Sequence, residues 1–72
     1  MGDVDSAANY LEHHAERAEE LANVKPNAAH HHGQAATYYQ MAHTAYEGGK
    51  KSSGEYHFKL GEYHAKEAEH HE

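Results

Sequence analysis

The sequence contains no cysteine, no tryptophan and no isoleucine, and only one proline and one phenylalanine. Large aliphatic side chains are scarce, with three leucines, two valines and two methionines. The missing cysteine excludes a disulfide staple, a thiolate-held metal and a thiol nucleophile. The chain is 72 residues long, which allows one domain, and a domain of that length is marginal even when its core is well filled. Two ways of adding stability remain: a metal held by other side chains, or association with a further chain. No apolar run approaches the ~20 residues that cross a membrane. The opening MGDVDSAANY has neither the basic start nor the apolar centre of a signal peptide. As written the chain reads as cytoplasmic, and as periplasmic if it is a mature form, so the compartment stays open. Positive charge is also short: the formal net charge is −6 with histidine neutral. That balance argues against nucleic acid as a partner, which needs a basic patch, and against an anionic membrane surface.

Three residue types are abundant instead: 13 alanines, six tyrosines and ten histidines. Protonating all ten histidines would move the net charge from −6 to +4. The chain therefore buffers protons near pH 6 whatever else it does.

Spacing predicts an all-α protein with three helices over about 5–24, 27–47 and 53–70. The first has Asp3 and Asp5 as candidate N-caps. Its apolar stripe is Val4, Ala7, Leu11, His14, Ala18 and Leu21. Pro26 suits the first turn of the second helix, which Gly48-Gly49 stops. The second stripe is Ala28, His32, Ala35, Tyr39, Ala42 and Tyr46, with Ala36 and His43 beside it. Ser52 and Glu55 fit a capping box at the start of the third helix. On that helix Glu55, Lys59, Glu62, Lys66 and Glu69 share one solvated face. The opposite face carries Gly54, His57, Phe58, Gly61, His64, Ala65 and Ala68, with Leu60 and His71 at its edge. Short links between three helices imply one antiparallel up-down-up bundle spanning residues 1–72.

The third helix has a heptad, Glu55-Tyr56-His57, Glu62-Tyr63-His64 and, weakened, Glu69-His70-His71. One heptad rises roughly 10 Å, so His57, His64 and His71 cannot share one ion. Each needs partners from another helix. Projected at about 100° per residue, His14, His32, His43, His57, His64 and His71 fall on or beside apolar faces. His13, His30 and His70 point outward, and His31 sits at a boundary. An up-down-up register pairs His57 with His43, His64 with His14 near Tyr39, and His71 with His32. Imidazole suits copper, nickel and zinc, and Glu47 or Glu67, one turn from His43 or from His64 and His71, could complete a site. The bland alternative is that these histidines are neutral seam residues satisfied by a tyrosine, a carboxylate or a carbonyl. The tyrosines are read chiefly as core and seam packing. Tyr10, Tyr38, Tyr56 and Tyr63 flank their stripes and could instead form a surface for a protein partner or for a homodimer.

No H-E-x-x-H motif is present, so a zincin protease has no support, and the paired E-x-x-H motifs of a di-iron bundle are absent. No nucleophile–base pair or phosphate loop stands out, and the chain reads as a binding protein rather than an enzyme.

EYHAKEAEHH, LEHHAERAEEL and HHHGQAATYY resemble the small histidine-rich helical metal-binding proteins of bacteria, such as those of ammonia oxidisers. The resemblance implies a helical bundle on a His-bearing heptad and periplasmic binding of copper and other divalent metals. Six tyrosines and a first helix with a single His-His pair depart from that pattern. Two functions therefore stand from the sequence. One is binding or buffering of Cu, Ni or Zn through cross-helix histidines. The other is a helical interaction or self-association module with tyrosine-rich seams and pH-sensitive histidines.

Overall fold

The computed structural model describes residues 4–71 and is a three-helix, up-down-up bundle with no strand among them. The helices are α1 (Val4–Leu21), α2 (Pro26–Glu47) and α3 (Lys51–His71). α2 packs along its length against both neighbours, while α1 and α3 meet only sparsely. The bundle is thus a rod, 38 Å in its longest extent, with α2 as the shared wall.

The chain turns where local chemistry demands it. Lys25 precedes Pro26 and takes an extended φ of −134°, as steric conflict with the proline ring requires. α1 therefore ends at Leu21, short of the predicted 24, and the Val24 and Lys25 amides both donate to the Leu21 carbonyl, at 3.1 and 2.8 Å. α2 closes with a Schellman turn. Gly49 has φ +78°, its amide donates to the Tyr46 carbonyl, and Lys50 donates to the Ala45 carbonyl. That turn delivers the chain straight into α3 at Lys51, and the Gly54 amide donates to the Lys50 carbonyl at 2.9 Å. The predicted capping box is thereby corrected: Ser52 lies inside the first turn of α3 and is not its cap. Asp5 likewise lies inside the first turn of α1. Asp3 and the side chain of Val4 lie outside what the structure describes.

The three expected stripes do face inward. Ala7, Ala28, Ala35, Ala36, Ala42 and Ala68 are buried, which lets the backbones approach closely. The large side chains of the centre are Tyr39, 2% exposed, and Phe58, 4% exposed. Tyr39 lies 5.2 Å from the Phe58 ring and 5.3 Å from that of Tyr10 (centroid distances), so all three helices meet at it. The predicted solvated face of α3, Glu55 to Glu69, is exposed throughout.

Two glycines fix how α2 and α3 mate. A Cβ built on Gly61 would stand 2.8 Å from the Tyr39 ring, and one on Gly54 would stand 2.5 Å from the Tyr46 ring. Each tyrosine therefore lies directly on the α3 backbone. Tyr39 to Tyr46 and Gly54 to Gly61 are both heptads, running in opposite directions. The same step places His32 level with Ala68.

This packing yields a test in which helix propensity and packing oppose each other. Alanine is the better helix former by about 1 kcal/mol, yet overpacking a core costs roughly 1–3 kcal/mol. Gly61→Ala and Gly54→Ala should each lower stability in urea unfolding. Gly33→Ala, whose added Cβ would meet nothing within 4 Å, should raise it by roughly 0.5–1 kcal/mol. Equal stabilisation by all three substitutions would contradict the tyrosine-on-glycine packing.

Candidate metal centre

The triplet His30-His31-His32 divides by direction, because successive residues on a helix point about 100° apart. His30 is exposed. His32 is buried and faces α1, where its Nδ1 lies 2.7 Å from Nδ1 of His14. At that distance one ring donates and the other accepts. His31 faces α3, and its Nδ1 lies 3.3 Å from Nδ1 of His64.

Along the α2–α3 seam the rings form one continuous stack. His57 stacks on Tyr38 at 6.4 Å, Tyr38 on His64 at 5.4 Å, His64 on His31 at 5.5 Å, and His31 on His71 at 5.4 Å. The alternation follows from two antiparallel heptads, His31 and Tyr38 on α2 against His57, His64 and His71 on α3. The α3 histidines do return to one edge at three heights, as the repeat predicts, but α2 rings fill the spaces between them.

At the C-terminal end of this stack, His31, Glu67 and His71 bring one ligand atom each within 4.8 Å of one another. Among the described residues this is the one group of three such side chains so assembled. Glu67 and His71 stand one helical turn apart on α3, so one face presents both. His31 enters from α2. Ligands of one zinc or copper ion, at ~2.1 Å each, stand at most about 4.2 Å apart. Small rotations of exposed or half-buried side chains bridge that difference. Two imidazoles and a carboxylate can hold a borderline-soft divalent ion and leave a coordination position for water.

The pairings expected from the sequence require correction, and the reason is rotational. On α2, at about 100° per residue, His43 lies about 20° from His32, which faces α1, and about 140° from Tyr38, which faces α3. His43 therefore makes its polar contact with Glu47, 3.4 Å away on its own helix, and not with His57. The His57 ring donates from Nδ1 to the Ser53 carbonyl at 2.9 Å, which leaves Nε2 as its acceptor. His14 pairs with His32 and not with His64, because His32 is level with Ala68, a turn beyond His64. His71 stacks on His31 and not on His32. Of the six predicted ligands, His71 alone belongs to the three-residue group. His64 contacts that group through His31.

His31, which helix projection alone puts at a boundary, is the member of this three-residue group that the sequence reading leaves out of its candidate ligands. A signal for it exists in the heptad from His31 to Tyr38, which matches the spacing of the α3 histidines.

No family model, no curated protein and no solved structure matches this chain.

The His64 imidazole has its pKa held below the ordinary 6.5. Burial in the seam contributes most, followed by the neighbouring His31 and His30, with Glu67 opposing. The folded state thus binds the His64 proton less readily than the unfolded chain does. Its contribution to stability is complete above pH 6.5 and is lost as the pH falls below that value towards the lowered folded pKa. Urea unfolding of the metal-free protein should therefore show stability declining below about pH 6.5. His64→Gln should make the decline shallower. A slope unchanged by that substitution would contradict the role given to His64.

Proposed function

We propose that this protein binds a divalent transition metal, copper, nickel or zinc, at the His31–Glu67–His71 group. The observation that carries the reading is the convergence of one α2 imidazole with an i,i+4 carboxylate–imidazole pair of α3. The stacked His64 ring, 3.3 Å from His31, supports it by holding the His31 imidazole in orientation. The need of a thin core for a staple supports it as well: an ion here ties the first turns of α2 to the last turns of α3. With three protein ligands and open coordination, the fitting role is binding or buffering rather than a closed structural site. The resemblance to small histidine-rich metal-binding proteins of bacteria agrees with that role.

A second reading, self-association, is favoured by one observation. Tyr56 and Tyr63, a heptad apart on α3, are 63% and 58% exposed. In that reading the apparent mass by sedimentation would rise with concentration without any metal.

The metal reading is tested by thermal unfolding. Zn(II) or Cu(II) at 100 times its dissociation constant should stabilise the fold by about 2.7 kcal/mol. For a chain this short that corresponds to a rise in Tm of roughly 10–20 °C, reversed by chelator. His31→Ala and His71→Ala should each abolish most of the rise, whereas His13→Ala should leave it intact. An unchanged Tm in wild type, or an equal loss in all three variants, would overturn the assignment.

A further inference from the structure

His14 and His32 sit in the apolar stripes of α1 and α2, and the bundle brings them together. Both are buried, at 4% and 1% exposure. Their Nδ1 atoms stand 2.7 Å apart and their ring centres 4.9 Å apart. The difference is close to two ring radii, so both nitrogens lie near the line that joins the centres. The ring planes differ by only 25°. The two imidazoles therefore meet end to end across the α1–α2 interface, each Nδ1 aimed at the other. A hydrogen bond places one proton on that axis.

The same axis is the geometry of a two-coordinate monovalent d10 ion, Cu(I) or Ag(I), which takes two donors in line. Among the described residues no third ligand of this kind joins the pair, because the one three-ligand group is His31–Glu67–His71. A divalent ion such as Zn(II), which takes four ligands, would be left incomplete here. The cost of taking an ion out of water rises with the square of its charge, so burial favours the monovalent ion as well. Two metal–nitrogen bonds of ~2 Å in line set the nitrogens about 4 Å apart, little more than about 1 Å beyond their present spacing. α1 packs on α2 and meets α3 only sparsely, so a shift of that size disturbs one interface. A groove of about 190 Å³ between α1 and α3, lined by Tyr10, His14 and Tyr39, reaches the His14 ring and gives an ion a way in.

We propose that His14 and His32 form a second metal site, which binds one Cu(I) or Ag(I) ion in line between their Nδ1 atoms. Two Nδ1–metal bonds replace the single hydrogen bond. The donating ring gives up its Nδ1 proton and carries one at Nε2 instead, so both rings stay neutral and the ion adds one positive charge. Nothing is oxidised or reduced. The site shares no ligand with the His31–Glu67–His71 group and takes a different class of ion, so the two assignments fail separately.

Long-range proton–nitrogen NMR during titration with silver nitrate tests the proposal, Ag(I) being diamagnetic and stable in air. The first equivalent should move the Nδ1 resonances of His14 and His32 together and leave those of His31 and His71 in place. Copper X-ray absorption of the protein loaded with one equivalent of Cu(I), without oxygen, should show two nitrogen neighbours. His14→Gln should weaken Ag(I) binding by about a hundred-fold or more, because one of two ligands is lost. His70→Ala, at an exposed position, should leave it unchanged. If His14→Gln does not fold, the wild-type spectra still decide, because they assign the nitrogens directly. First shifts at His31, His71 or the exposed histidines, three or more ligand atoms around copper, or an affinity unaltered by His14→Gln would overturn the proposal.

Discussion

Two tyrosine rings seated against two glycines hold this structure in register. Tyr39 on Gly61 and Tyr46 on Gly54 leave no space for a Cβ, so α2 and α3 can neither slide by a turn nor rotate without a clash. A core built mostly from alanine has few large side chains with which to specify alignment. The tyrosines supply both the area and the alignment. The histidine contacts between α2 and α3 depend on it, because the register decides which imidazole meets which ring across that seam.

From that register follows the division of labour on α2. His32 and Tyr39 turn to the shared interior, where His14, Tyr10 and Phe58 meet them. His31 and Tyr38 turn to the α3 edge, where His57, His64 and His71 interleave with them. Adjacent residues in sequence thus serve different helices. The His31–Glu67–His71 group, proposed to bind a metal, occupies the end of the second set.

The architecture is legible in the sequence because periodicity, Pro26, Gly48-Gly49 and the Glu/Lys face of α3 are local signals. Inward stripes can be read residue by residue for the same reason. Ser52 looks like a cap and is not one, because the Schellman turn at Gly49, a backbone event, starts α3 earlier than side-chain chemistry suggests. The histidine pairings fail for a different reason. Height along a bundle follows from loop length, and loop length alone levels α2 with α3 to within a turn. Rotation about the α2 axis depends on which face each neighbour takes, and no single helix encodes that. His43 therefore reads as a partner for α3 although its side of α2 faces α1. His31 reads as a boundary residue although it sits between two α3 rings.

The central claim is that ion binding begins at the end of the α2–α3 stack and not at the histidines on the surface. Long-range proton–nitrogen NMR resolves the ring nitrogens of each histidine, and a titration with substoichiometric Zn(II) would follow all ten at once. The account predicts that the His31 and His71 ring nitrogens shift first and together, with His64 responding through its contact to His31. First responses at His13, His30 and His70, with His31 unmoved, would contradict it.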